Sequence, residues 1–139
     1  MEKVIECVLL IDDDKVTNFY NKRVVSKINN FKEINTATNG QKALDYINNS
    51  KNGLCKKPDL IFLDINMPAM NGWEFIEEFK KIDTSFTSSI KIVMLTTSNS
   101  PEDYERSLTL DSVDDFINKP LSIDLLSNLI EHHYSIKIY

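Results

Sequence analysis

Val8-Leu9-Leu10-Ile11-Asp12-Asp13 decides the fold: an apolar run that stops at two carboxylates. Three more runs stop at residues suited to phosphate chemistry. Leu60-Ile61-Phe62-Leu63 ends at Asp64, Ile92-Val93-Met94-Leu95 at Thr96, and Phe116-Ile117 lies shortly before Lys119-Pro120. Short apolar runs suit strands buried on both faces, as parallel sheets require. The segments between them carry helical periodicity, so all these strands should run the same way and bring their carboxyl ends to one edge. Ligands bind at that edge of an open α/β sheet. The pattern therefore predicts that Asp12, Asp13, Asp64, Thr96 and Lys119 converge there from both halves of the chain.

The intervening segments fill in five strand-helix units. Asp14 is the expected cap of a first helix over residues 15–28, with Val16, Phe19, Tyr20, Val24 and Ile28 spaced to form its inner face. An edge strand over 33–37 is interrupted by the polar Asn35 and Thr36. A short helix over 41–48 packs Ala43, Leu44 and Ile47, and the polar stretch 49–58 reads as an exposed loop. Trp73, Ile76, Phe79 and Ile82 mark one face of a third helix, and 84–89 reads as a Ser/Thr-rich loop. Ser100 and Pro101 start the next helix as N-cap and first residue, with Glu102 and Asp103 favourable to its dipole. A last strand over 115–118 leads to a helix over 123–133 that buries Leu125, Leu126, Leu129 and Ile130. The tail 135–139 has no predicted conformation. Alternation of this kind places the chain in the α/β class with helices on both faces of the sheet.

The chain has 139 residues, 42% of them hydrophobic, and a formal net charge of −5. This is one domain's length, with enough apolar material for one core. The acidic balance and the lack of a Lys/Arg cluster argue against nucleic-acid binding. No apolar stretch approaches the roughly 20 residues that span a bilayer, and no signal-peptide pattern follows Met1, so a cytoplasmic location is expected. Cys7 and Cys55 have neither metal-ligand nor disulfide spacing. Cys7 reads as core and Cys55 as incidental.

Asp12, Asp13 and Asp64 would repel one another in a half-buried cleft unless a cation joined them. Mg²⁺, which takes about six oxygen ligands and keeps several waters, suits such a set. An Asp-Asp pair after a strand can also be a simple helix cap. The register of Asp64, Thr96 and Lys119 weighs against that reading.

At this point the chain resembles the response-regulator receiver domain, the CheY-like phosphoacceptor module of two-component signalling, over residues 8–130. The motifs are Leu10-Ile11-Asp12-Asp13, Leu63-Asp64-Ile65-Asn66-Met67-Pro68 followed by Gly72, Met94-Leu95-Thr96, and Phe116-Ile117-Asn118-Lys119-Pro120-Leu121. The resemblance implies a flavodoxin-like, doubly wound (βα)5 parallel sheet with strand order 2-1-3-4-5. It also implies one receiver domain over 1–139 with no output domain. Asp64 would accept a phosphoryl group from a sensor histidine kinase or a histidine phosphotransfer protein. Asp13, Asp64 and the Asn66 carbonyl would ligate Mg²⁺, with Asp12 acting through water. Lys119, the Thr96 hydroxyl and the Thr97 amide would contact phosphoryl oxygens, and Lys119-Pro120 would be cis. Thr96 and Phe116 would form the switch, read by a downstream protein on the surface of the Pro101 helix, the last strand and the last helix.

Three departures from the family pattern stand out. Asn71 replaces an Asp, Thr97 a smaller residue, and Ser112 a Gly whose loss could strain its turn. Asn66 and Ser98 also flank the site. His132 and His133 read as a solvated pair favoured by the helix dipole rather than as metal ligands. Trp73 reads as packing beside the site and a fluorescence reporter. An Asp-nucleophile phosphohydrolase shares the strand-end aspartate, Mg²⁺ and lysine, but carries a second Asp where this chain has Asn66. A receiver excised from a longer regulator fits the same residues. A pseudo-receiver scaffold does not, because every required side chain is present.

Overall fold

Residues 5–97 and 100–135 are described in this computed structural model. Their order is β1 (Ile5–Ile11), α1 (Lys15–Ser26), β2 (Phe31–Ala37), α2 (Gly40–Lys51), β3 (Leu60–Leu63), α3 (Gly72–Phe79), α4 (Thr84–Thr87), β4 (Lys91–Thr96), α5 (Pro101–Leu108), β5 (Asp115–Asn118) and α6 (Ile123–Tyr134). Ser98, expected beside the site, and tail residues 136–139 lie outside the described residues.

All strand pairs are parallel, in the order β2-β1-β3-β4-β5. This is the expected flavodoxin-like sheet. Its alternation explains the unbroken apolar runs. Leu9, Ile11, Ile61, Leu63, Ile92 and Met94 pack towards α2 and α3. Val8, Leu10, Leu60, Phe62, Val93 and Leu95 pack towards α1 and α6. Neither side of β3 meets water, so both parities must be apolar. The helices begin where side chains satisfy their first free N–H groups: Asp14, Asn39, Asn71, Ser100 and Ser122 each accept from the following turn. Asn71 and Glu74 complete a capping box.

Several local expectations are corrected. The predicted α1 stripe faces the core only at Val24 and Ile28: Val16 is 75%, Phe19 63% and Tyr20 45% exposed. Asn18 and Asn21 point inward instead, with Val24, Val25 and Ile28. The Asn18 amide donates to the Asp12 carbonyl at 2.8 Å and to the Ala37 carbonyl at 3.4 Å, so a polar residue satisfies backbone acceptors where β1 and β2 end. The second helix continues through a polar turn to Lys51, where buried Ser50 bonds the Ile47 carbonyl. The Ser/Thr-rich segment contains the one-turn α4, capped by Asp83. Leu125 is 38% exposed. Ser112 avoids the left-handed backbone, which in the turn after β3 falls on Ala69, with φ 66°. His133 is half-buried against Asp115 at 3.0 Å rather than solvated beside His132.

Candidate functional site

The first two carboxylates meet because of strand register. Ile11 pairs with Leu63, and the Asp64 N–H donates to the Ile11 carbonyl at 3.0 Å, so Asp12 and Asp64 leave adjacent strands at the same level. Both are buried. Asp12 is fully committed: Oδ1 accepts the Asp14 N–H at 2.9 Å, and Oδ2 pairs with Lys119 Nζ at 2.5 Å. Asp13 is exposed and makes no hydrogen bond or ion pair with the described residues. One carboxylate oxygen from each of Asp12, Asp13 and Asp64 lies within 4.8 Å of the others.

Lys119 enters from the opposite side. Its N–H donates to the Thr96 carbonyl at 2.7 Å, extending the β4–β5 ladder by one step, and the Lys119-Pro120 bond is cis as expected. The ammonium then lies 3.4 Å from Asp64 Oδ1. Thr96 is fully buried at the end of β4, opposite Asn118. Asn66 is exposed in the turn after β3, and its carbonyl takes no backbone hydrogen bond from the described residues.

The electrostatics follow from this crowding. Burial, then the neighbouring Asp12 carboxylate, pushes the Asp64 carboxyl above its ordinary range, while Lys119 pulls the other way. Burial opposes the charge on Lys119, but its bond to Asp12 and the nearby Asp64 charge outweigh that effect and raise its affinity for the proton. One ammonium is shared between two carboxylates, so the lysine gains from both while each acid is only partly compensated. Of the two, Asp64 is the less compensated, because the ammonium sits closer to Asp12. Three hard oxygen donors, one of them uncommitted, form a set that fits a small divalent cation.

The sequence profile of the response regulator receiver domain matches residues 8–131. The chain belongs to this family. Among solved structures, the receiver is similar to a two-component response regulator from Cytophaga hutchinsonii, with 34% identity, a TM-score of 0.86, and coverage of 94% of this chain and 97% of the other. A probable cyclic di-GMP phosphodiesterase of Vibrio cholerae is 33% identical across 96% of this chain, which spans 28% of that protein's length. The probable methanogenesis regulatory protein FilR2 of Methanothrix harundinacea is 27% identical across 89% of this chain and 78% of its own. Receiver domains interact with histidine kinases and phosphotransfer proteins, typically bind Mg²⁺ in an acidic pocket, and generally act in non-enzymatic signalling.

Around the receiver cleft the structure adds contacts that the sequence did not signal. The Arg106 guanidinium on α5 lies 4.7 Å from the centre of the buried Trp73 ring at the start of α3. The half-buried Phe116 ring packs obliquely on Tyr104, 5.6 Å between centres. Both link α5 to residues near the sheet edge. No spacing rule could have paired them, because they join separate elements across the surface. Among the described residues, no helix is long and apolar enough to cross a membrane.

Proposed function

We propose that this receiver is the phosphoacceptor switch of a two-component phosphorelay, with Asp64 taking a phosphoryl group from a sensor histidine kinase or a histidine phosphotransfer protein. The observation that carries the reading is one buried, poorly compensated carboxylate facing two others and an ammonium. An Asp64 carboxylate oxygen attacks phosphorus, the bond from phosphorus to the donor histidine nitrogen breaks, and an acyl phosphate forms. Lys119 neutralises charge on the incoming group, and the Thr96 hydroxyl and Thr97 amide N–H donate hydrogen bonds to its oxygens. Asp13, Asp64 and the Asn66 carbonyl would hold Mg²⁺, with Asp12 contributing through water. Bound there, the ion supplies charge neutralisation for the transferring phosphoryl group. The exposed Asn66 at the second position after Asp64 speaks against a phosphohydrolase, which needs an acid there.

Output goes through protein contact on the face formed by α5, β5 and α6, from a domain we read as acting in the cytoplasm without nucleic-acid partners. Thr96 is two residues beyond Met94, the register partner of Phe116, so an inward move of Thr96 acts on the strand that carries the ring. Incubation with acetyl phosphate and Mg²⁺ should add one phosphoryl mass, and chelating the ion beforehand should prevent the addition. Beryllofluoride should change hydrogen exchange in α5, β5 and α6 more than in α1, and Thr96→Ala should weaken that response while permitting phosphorylation. No added mass would refute the acceptor. Exchange changes confined to α1 would refute the output face.

The metal ligands carry their own expectation. Asp13→Ala should weaken Mg²⁺ binding by about tenfold, a loss of ~1.4 kcal/mol, and more than Asp12→Ala, whose oxygens are already engaged by Lys119 and Asp14. Titration followed by Trp73 fluorescence reads both. Equal affinities in the two variants and the parent would refute these roles.

A further inference from the structure

We propose that Tyr20 is a positioning residue for Lys119, a role that rests on the reading of Asp64 as the phosphoacceptor. Tyr20 lies on the outer side of α1 with its side chain 45% exposed, so core packing does not account for it. Its hydroxyl donates to the Leu121 carbonyl at 3.1 Å, across 101 residues of sequence. That carbonyl is two residues beyond Lys119, in the connection between β5 and α6.

This connection has few other anchors. The Lys119 N–H is held by the Thr96 carbonyl. Pro120 is exposed and has no N–H to donate. The Leu121 side chain is buried among the α1 and α6 residues. Ser122 then accepts the Leu125 N–H and starts α6. On the side facing α1, the backbone of this loop is therefore fixed by Tyr20.

The same helix also grips the other partner of the cleft ion pair. Asn18, two residues before Tyr20, donates to the Asp12 carbonyl at 2.8 Å, and the Asp14 N–H donates to Asp12 Oδ1 at 2.9 Å. The first half of α1 thus holds both Asp12 and the Lys119 loop. It sets the relative position of the two residues whose side chains pair. A lysine reaches its target through a flexible four-carbon stem, so a small shift of its backbone broadens the set of ammonium positions. Without the hydroxyl, the carbonyl of the buried Leu121 loses its donor and the loop must shift to satisfy it, while the packed Leu121 side chain keeps the fold, so the ammonium loses its placement.

Tyr20→Phe keeps the ring and removes the one bond. It should slow phosphorylation by acetyl phosphate and Mg²⁺ by about three- to tenfold, the effect of losing one neutral hydrogen bond. In a Lys119→Gln protein the same change should have no further effect. Hydrogen exchange on the unphosphorylated protein should quicken at the Lys119 and Leu121 amides and stay unchanged at Val24 and Val25 within α1. An unchanged rate in Tyr20→Phe would overturn the proposal, as would an equal fractional loss in the Lys119→Gln background. If that background is too slow to measure, exchange decides: selective quickening at Lys119 and Leu121 supports the role, and unchanged or helix-wide exchange overturns it. The exchange measurement needs no phosphoryl group. Failure of the parent protein to accept phosphate would therefore count against Asp64, not against Tyr20.

Discussion

Asp64→Asn is expected to abolish phosphoryl uptake and, in the absence of divalent cations, to raise the thermal midpoint at neutral pH. The first effect follows from chemistry, since an amide has no anionic oxygen with which to attack phosphorus. The second follows from the crowded cleft. Burial and Asp12 raise the Asp64 carboxyl above its ordinary value, so folding favours its protonated form. Its contribution is most favourable below the unfolded value, about 3.9, and is lost as pH rises through the higher folded one. Above that point the wild-type fold carries an anion it disfavours, and the amide removes it. The gap between the two proteins should therefore be small in acid, widen towards neutrality, and shrink when Mg²⁺ is added to the wild type. Thermal melts across a pH series, paired with intact-mass phosphorylation, measure both effects. A variant less stable than the parent at neutral pH without metal would show that Lys119 compensates Asp64 fully.

The second large effect is expected at Gly72. A Cβ there would lie 2.7 Å from the Asp64 carbonyl oxygen, 2.9 Å from Ile65 Cα and 3.1 Å from Met94 Cε. Two of these neighbours are backbone and cannot rotate away. The turn after β3 folds back so closely that the Gly72 N–H reaches the Ile65 carbonyl at 2.8 Å. Gly72→Ala should cost about 1–3 kcal/mol through overpacking, and should also slow phosphorylation because the displaced backbone carries Asp64. Gly53→Ala is the control. Its φ is +79° with nothing within 4 Å of the added carbon, so its cost should be the conformational one alone, about 1–2 kcal/mol, with phosphorylation intact. Urea unfolding and acetyl phosphate kinetics on both variants separate the two causes. Normal kinetics in Gly72→Ala would mean that the acceptor is insensitive to the turn behind it.

The parts of this structure legible in the sequence are those where one local rule acts without competition. Leu60 to Leu63 had to be a strand buried on both sides, and Asp64 had to emerge at its end. Asp14 and Ser100 followed from capping chemistry, and β5 was placed correctly from Asp115 to Asn118. Strand order was different: helical crossovers permit several orders, and the family resemblance supplied the one observed. The first helix was misread because Val16, Phe19 and Tyr20 satisfy the helical spacing. Periodicity counts apolar residues but ignores the carbonyls of Asp12 and Ala37, which draw Asn18 inward. α4 spans four residues with Phe86 as its one apolar member, too few for any periodicity to register. Within the site, Asp12, Asp64 and Lys119 could be foreseen as neighbours. That Asp12 would be occupied by Lys119 and Asp14, leaving Asp13 uncommitted, depends on side-chain geometry that spacing does not encode.

The ion pair between Lys119 and Asp12 has a consequence for the conditions under which the switch operates. Their side chains are only 15% and 5% exposed, whereas Lys56 and Glu6, which also pair, are 44% and 45% exposed. Mobile ions screen the outer pair over a Debye length of about 10 Å at 0.1 M, but they cannot enter the space between Lys119 and Asp12. The resting charge balance of the cleft is thereby insulated from the salinity of its surroundings, and osmotic change alone will not mimic a phosphoryl signal.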